Sequence, residues 1–157
     1  MREQLSIWER VKRLLIVLPY NEELEYFEYL KALDETLNDS NVQDLKIIVP
    51  LPKQVKKEIL PTHRLIHYFS PKDLSFFGKL RDEEMERIIV QPYDALIWLY
   101  TDDKKLFKLL KNVHTPWKIG VNINNDFFSL HVESKSEKPA DVINFTIQTL
   151  DKISGNE

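Results

Sequence analysis

Two short polar clusters follow apolar runs in a way that suits a ligand crevice. Pro19-Tyr20-Asn21 closes the run over residues 13–18, and Tyr100-Thr101-Asp102 closes the run over residues 95–99. In open α/β sheets, ligands bind beyond the carboxyl ends of the strands, where the strand order reverses. If these two runs are neighbouring central strands, Tyr20, Asn21, Tyr100, Thr101 and Asp102 meet there, and Asn122 reaches in from the next strand. Two helix N-termini would point at the same place, an arrangement that suits an anion. Helix capping alone also accounts for Asn21, Thr101 and Asp102, because their side chains accept N–H bonds at helix starts.

Other chemistry finds little support. With no cysteine there is no thiol nucleophile, disulfide or thiolate metal site. After the first run the chain reads Pro19-Tyr20-Asn21-Glu22-Glu23, without the glycines that let a backbone approach a pyrophosphate, and the two glutamates would repel phosphate. Phe77-Gly78-Lys79-Leu80 has a Gly-Lys pair but lacks the upstream glycine and the following Ser or Thr of a phosphate-binding loop. His63 and His67 lie in a segment that reads as extended, which would part them by about 13 Å, too far for one metal ion. No Gly-x-Ser-x-Gly elbow is present, and Asp94 precedes its strand, at the end opposite the crevice. No catalytic residue, metal site or cofactor is assigned on these grounds, and the reading leans away from an enzyme.

Two charged surfaces remain. The first long helix is acidic, through Glu22, Glu23, Glu25, Glu28, Asp34 and Glu35. The helix after the run at 95–99 is basic, through Lys104, Lys105, Lys108 and Lys111, with Lys118 beyond it. Solvated faces of amphipathic helices look like this. A sharper reading makes the lysines a docking stripe for RNA or an acidic protein, or pairs the two helices in self-association. The net charge of −3 argues against a general nucleic-acid binder, which is usually strongly basic.

The elements that must position these residues follow from the apolar pattern. Residues 92–102 hold the longest apolar run and read as a central strand buried on both faces. Residues 13–18 form a second such strand, followed by a helix to about Leu37 that Asn21 would cap. Further strands are predicted at 44–49, 64–69 and 117–121, and helices at 82–91, from Thr101 or Asp102 to about 113, and at 140–153. The third strand, over 64–69, is more polar and belongs nearer an edge. Leu5, Trp8 and Val11 suggest a short N-terminal helix. Asn124-Asn125-Asp126 reads as a tight turn into a strand at 127–132, which would pair with its predecessor as an antiparallel hairpin. Alternating strands and helices imply parallel βαβ units. The expected architecture is a three-layer, Rossmann-like α/β sandwich with order 3-2-1-4-5 and an antiparallel edge strand 6.

The 157 residues suit one domain, with residues 1–10 and 154–157 peripheral or frayed. Hydrophobic residues make up 43% and charged residues 30%, enough to bury a core and keep a polar surface. The first ten residues are too charged for a secretory signal, and no apolar run approaches a bilayer span of roughly 18 residues. A cytoplasmic setting without membrane contact is expected.

Ser70-Pro71-Lys72-Asp73-Leu74-Ser75-Phe76-Phe77-Gly78-Lys79, then Gln91-Pro92-Tyr93-Asp94-Ala95-Leu96-Ile97, then Trp117-Lys118-Ile119-Gly120 resemble an uncharacterised family of small α/β proteins from Bacteroidota, a domain of unknown function. The resemblance runs from about Lys12 to Ile153. It implies the fold and a bacterial cytoplasmic setting, and it supplies no catalytic residue. The leading expectation is a non-enzymatic accessory or protein-interaction domain. The alternatives are a nucleotide or sugar-nucleotide binding domain related to one lobe of a glycosyltransferase, and an RNA-associated protein using the lysine-rich helix.

Overall fold

A computed structural model describes residues 4–155. Among them, six strands form one sheet: β1 (Arg13–Val17), β2 (Asp44–Pro50), β3 (Ile66–Phe69), β4 (Ala95–Leu99), β5 (Lys118–Val121) and β6 (Leu130–Val132). Their order is β3-β2-β1-β4-β5-β6, as the apolar pattern predicts. β1 and β4 are the central neighbours, in register from Leu14 beside Ala95 to Val17 beside Trp98.

Helices cover both faces, which is why the central strands are apolar throughout. Leu14, Ile16 and Leu18 point to one side, into a cluster shared with α1 (Ile7–Arg10), α2 (Tyr26–Leu37) and α5 (Pro139–Lys152). Leu15, Val17, Leu96 and Trp98 point to the other, against α3 (Glu83–Val90) and α4 (Lys104–Leu110). Burying each of these side chains stabilises the fold by about 1.5–3 kcal/mol.

β6 runs parallel to β5, which overturns the antiparallel hairpin expected at this edge. After Val121 the chain does not turn back on itself. Residues 122–129 cross the face carrying Trp98 and re-enter at the start of β5, where the Ser129 N–H donates to the Lys118 carbonyl at 2.9 Å. Phe127 and Phe128 cause this detour: both rings pack against Trp98 and Phe107, with centroids 5.1–5.8 Å apart. The strands are so short that the return path is only about 13 Å, and eight residues at roughly 3.3 Å each span it easily. Gly120 makes the crossing possible, since a Cβ there would stand 2.6 Å from the Phe128 ring.

Smaller differences have similar causes. α4 is capped by Asp103, whose carboxylate accepts the Leu106 N–H at 3.0 Å, and not by Thr101 or Asp102. Asn21 is not the cap of α2, which begins five residues later. Its amide oxygen accepts the Glu25 N–H at 3.0 Å and closes a turn in which Leu24 is left-handed, at φ 55°. In α1, Ile7, Trp8 and Val11 are buried and Leu5 is exposed. The Ile7 N–H donates to the Ile153 carbonyl at 2.8 Å, tying the two ends of the chain together. Of the peripheral or frayed ends expected at residues 1–10 and 154–157, residues 1–3 and 156–157 lie outside the described residues. Phe145, on α5, is 44% exposed.

Candidate functional site

The residues expected to line a crevice follow the carboxyl ends of β1, β4 and β5, and two of them, Tyr100 and Asn122, are fastened to each other. Tyr100 and Asn122 end β4 and β5 in the left-handed region, at φ 58° and 55°. That conformation is costly for a bulky side chain such as tyrosine. It brings the two side chains together: the Asn122 amide donates to the Tyr100 hydroxyl at 2.8 Å, and its oxygen accepts the Ser134 N–H at 2.8 Å. Tyr100 also meets the buried Tyr29, whose hydroxyl is pushed well up by burial and then by the neighbouring Tyr100 phenol. The Thr101 carbonyl accepts the indole N–H of Trp98 at 2.7 Å, satisfying a donor that is otherwise buried in apolar surroundings. Tyr20 is half-buried, its ring 6.4 Å from that of Tyr26, while Asp102 is exposed. A hollow of about 430 Å³ lies beside this cluster, lined by Asn122, Ile123, Asn124, His131, Val132, Glu133 and Ser134. Tyr100, Asn122 and the Thr101 carbonyl here hold loops in place through protein partners.

The four stripe lysines, Lys104, Lys105, Lys108 and Lys111, are all exposed on or just beyond α4. Lys118 does not extend the stripe. Its ammonium donates to the Lys111 carbonyl at 2.7 Å and lies 4.7 Å from the centre of the Phe127 ring, and burial lowers its pKa. Phe107, the aromatic within α4, is stacked on Trp98 at 4.5 Å. The acidic α2 lies over the opposite face of the sheet from α4.

A second constellation, at the β2–β3 edge, was not apparent from residue types and spacing. It is built around a hairpin whose arms meet at Leu74 and Leu80. The Gly78 N–H donates to the Ser75 carbonyl at 2.9 Å and the Ser75 N–H to the Lys79 carbonyl at 2.6 Å. Gly78 is left-handed at φ 79°. These are the marks of a three-residue hairpin, a turn followed by a left-handed glycine. The Ser75 hydroxyl adds a bond from the Lys79 N–H at 2.9 Å. The turn places Phe76 and Phe77 at its outer corner, 95% and 92% exposed, with their rings edge to face at 5.4 Å. Two adjacent aromatics just before a turn glycine were the available signal, because neighbours in an extended chain cannot both face the core.

The feet of this hairpin are clipped together by charge. Lys57 donates to Asp73 at 2.5 Å on one foot and lies 3.5 Å from Asp82 on the other. Asp73 also accepts the Ser70 N–H, and Asp82 caps α3 through the Met85 N–H. His67, on β3, closes on Asp82 at 2.5 Å. Burial works to raise the Asp82 carboxyl, but the bonds from His67 and Met85 and the charges of His67 and Lys57 hold it below the usual carboxylate range. His63, four residues before His67, instead accepts the Leu65 N–H through Nδ1 at 3.1 Å. Among the described residues no group of three or more His, Asp or Glu side chains is placed to hold a metal ion. None of their helices is long and apolar enough to cross a membrane.

No curated protein matches the chain. One family model does, over residues 3–153, and its description is a family of unknown function, DUF6913.

Proposed function

We propose that this chain, which belongs to the DUF6913 family, is a non-enzymatic protein-interaction domain whose docking element is the hairpin at residues 75–79. The observation that carries this reading is the near-complete exposure of Phe76 and Phe77 on a loop held by its own hydrogen bonds. Exposing two phenylalanines forgoes about 1.5–3 kcal/mol for each ring that could have been buried. A partner pocket recovers that energy. Because the glycine turn and the Lys57 clip already order the loop, docking costs little further chain entropy. Aromatic side chains in such positions carry much of the binding energy at interfaces. The bacterial cytoplasmic setting implied by the resemblance belongs to the same reading.

The other two readings have weaker support. A nucleotide or sugar nucleotide would need Tyr100, Asn122 and Thr101 to give up the partners they have. RNA bound on the α4 lysines would find Phe107 stacked inside the protein, where it cannot take a base.

The test is a photo-crosslinking residue, p-benzoylphenylalanine, placed at Phe77 in the native cell. An adduct of discrete mass is expected from that position, and none from the same residue placed at Phe145 on α5. Irradiation that yields no adduct from either Phe76 or Phe77 would remove the reading.

A further inference from the structure

Resting on that docking reading, we infer that the hairpin's partner is a second copy of this chain, joined about a two-fold axis at Phe76 and Phe77. A two-fold interface uses the same patch twice, so the patch must contain both members of every complementary pair. This one does. Its centre is the two rings. Lys79 and Arg81 follow on the hairpin, and Glu83 and Glu86 come next on the first turns of α3, all four exposed. The neighbouring acids have partners within the protomer: Asp73 and Asp82 on Lys57 and His67, and Glu84 on Arg87 at 2.7 Å. In chain order the apolar corner is thus followed by a basic half, Lys79 and Arg81, and then an acidic half, Glu83 and Glu86, with a further exposed lysine, Lys72, before the hairpin. An anionic lipid surface would be attracted to Lys79 and Arg81 and repelled by Glu83 and Glu86. A second copy, turned by two-fold symmetry, offers each half its opposite.

The size of the contact agrees with a weak dimer. A buried aromatic ring removes roughly 150–250 Å² from water, so four rings account for about 600–1,000 Å². That is about half of a standard interface of roughly 1,600 Å². Leu74, Arg81 and the start of α3 would supply the remainder, a small contact that suits a reversible dimer. The other charged surfaces do not offer a closed alternative. The acidic α2 and basic α4 lie on opposite faces of the sheet, so joining them between copies is head to tail and builds rings or open chains, not a two-fold dimer.

Sedimentation velocity of the full chain tests this, over a thousandfold range of concentration up to about 1 mM. The expected result is a reversible dimer, weakened at least about tenfold by Phe76→Ser with Phe77→Ser. Two further variants guard against a trivial loss. Lys79→Glu with Arg81→Glu makes the patch mainly acidic, and Glu83→Lys with Glu86→Lys makes it mainly basic. Each alone should be monomeric, and mixing the two should restore a dimer. A wild-type chain that stays monomeric throughout would overturn the inference, as would a dimer indifferent to the two serines. If the chain is monomeric but Phe77 still crosslinks to a different protein, the second copy is excluded and the docking reading stands. Sedimentation with phosphatidylserine vesicles that depends on Phe76 and Phe77 would assign the hairpin to a membrane and likewise overturn the dimer.

Discussion

At the scale of single residues, Gly120 carries more of the architecture than its size suggests. It sits in the middle of β5, where glycine normally weakens a strand. Here the missing side chain is the space that the Phe128 ring occupies, and Phe128 in turn draws the 122–129 segment across the sheet. Gly120→Ala would force its Cβ to within 2.6 Å of that ring. The expected cost is about 1–3 kcal/mol, as for other overpacked cores. Urea denaturation would measure it, and a loss below about 0.5 kcal/mol would mean the Phe128 ring moves aside freely. Tyr100 and Asn122 are comparable cases. Their left-handed backbones are invisible to a reading of residue types, and they turn two expected ligand contacts into a loop fastening. Tyr20, Asn21, Tyr100, Thr101, Asp102 and Asn122 follow the ends of β1, β4 and β5, as their place in the sequence implies. The sequence could not tell that Asn122 would spend its amide on Tyr100 and Ser134.

At the scale of elements, the hairpin and its clip behave as one unit. Lys57 comes from the connection after β2, His67 from β3, and Asp73 and Asp82 from the two feet, so four separated segments converge on two carboxylates. Asp82→Asn would keep a side chain able to cap α3 while removing the charge that Lys57 and His67 address. A loss of about 1.5–3 kcal/mol at pH 7 is expected, the range for hydrogen bonds to charged groups. The sign of the pH dependence is set by Asp82's lowered pKa. The stabilisation is present above the ordinary value of 3.8 and is lost as the pH falls through the depressed one. Urea midpoints of the two proteins should therefore differ at neutral pH and converge in acid. A gap that persists undiminished at the lowest accessible pH would assign the effect to something other than this carboxylate.

At the scale of the whole molecule, one sheet divides the apolar residues into two layers, and tyrosines close several of the seams. Tyr26 and Tyr68 share a hydrogen bond of 2.8 Å, Tyr68 donates to the Pro61 carbonyl, and Tyr93 donates to the Ile88 carbonyl at 2.6 Å. Burial, above all, raises the pKa of Tyr26, Tyr29, Tyr68 and Tyr93, with Tyr93 pushed up to about 12 from 10.0. In the unfolded chain these phenols lose their protons first. Stability is therefore whole below about pH 10 and falls as the pH climbs towards and through 12. Denaturation midpoints followed across this range should decline, and Tyr93→Phe should decline less steeply. An unchanged slope in that variant would show that Tyr93 is not held neutral by the fold.

The strand order was legible because it depends on a local property. Residues 14–18 and 95–99 are apolar at every position, and only strands covered on both faces need that. The alternation of strands with helices then leaves few parallel arrangements. The candidate crevice residues were legible for the same reason, since they are the first residues past the ends of the central strands. What the sequence could not determine was the outcome of competition for shared space. The direction of β6 depends on Phe127 and Phe128 finding Trp98 and Phe107, partners about 20–30 residues away in sequence. The exposure of Phe76 and Phe77 depends on a hairpin whose feet are held by a lysine and a histidine from elsewhere in the chain. Local pattern sets which segments are buried. Only the tertiary structure decides which buried group each polar atom and each ring will meet, because those meetings join residues that no short window contains.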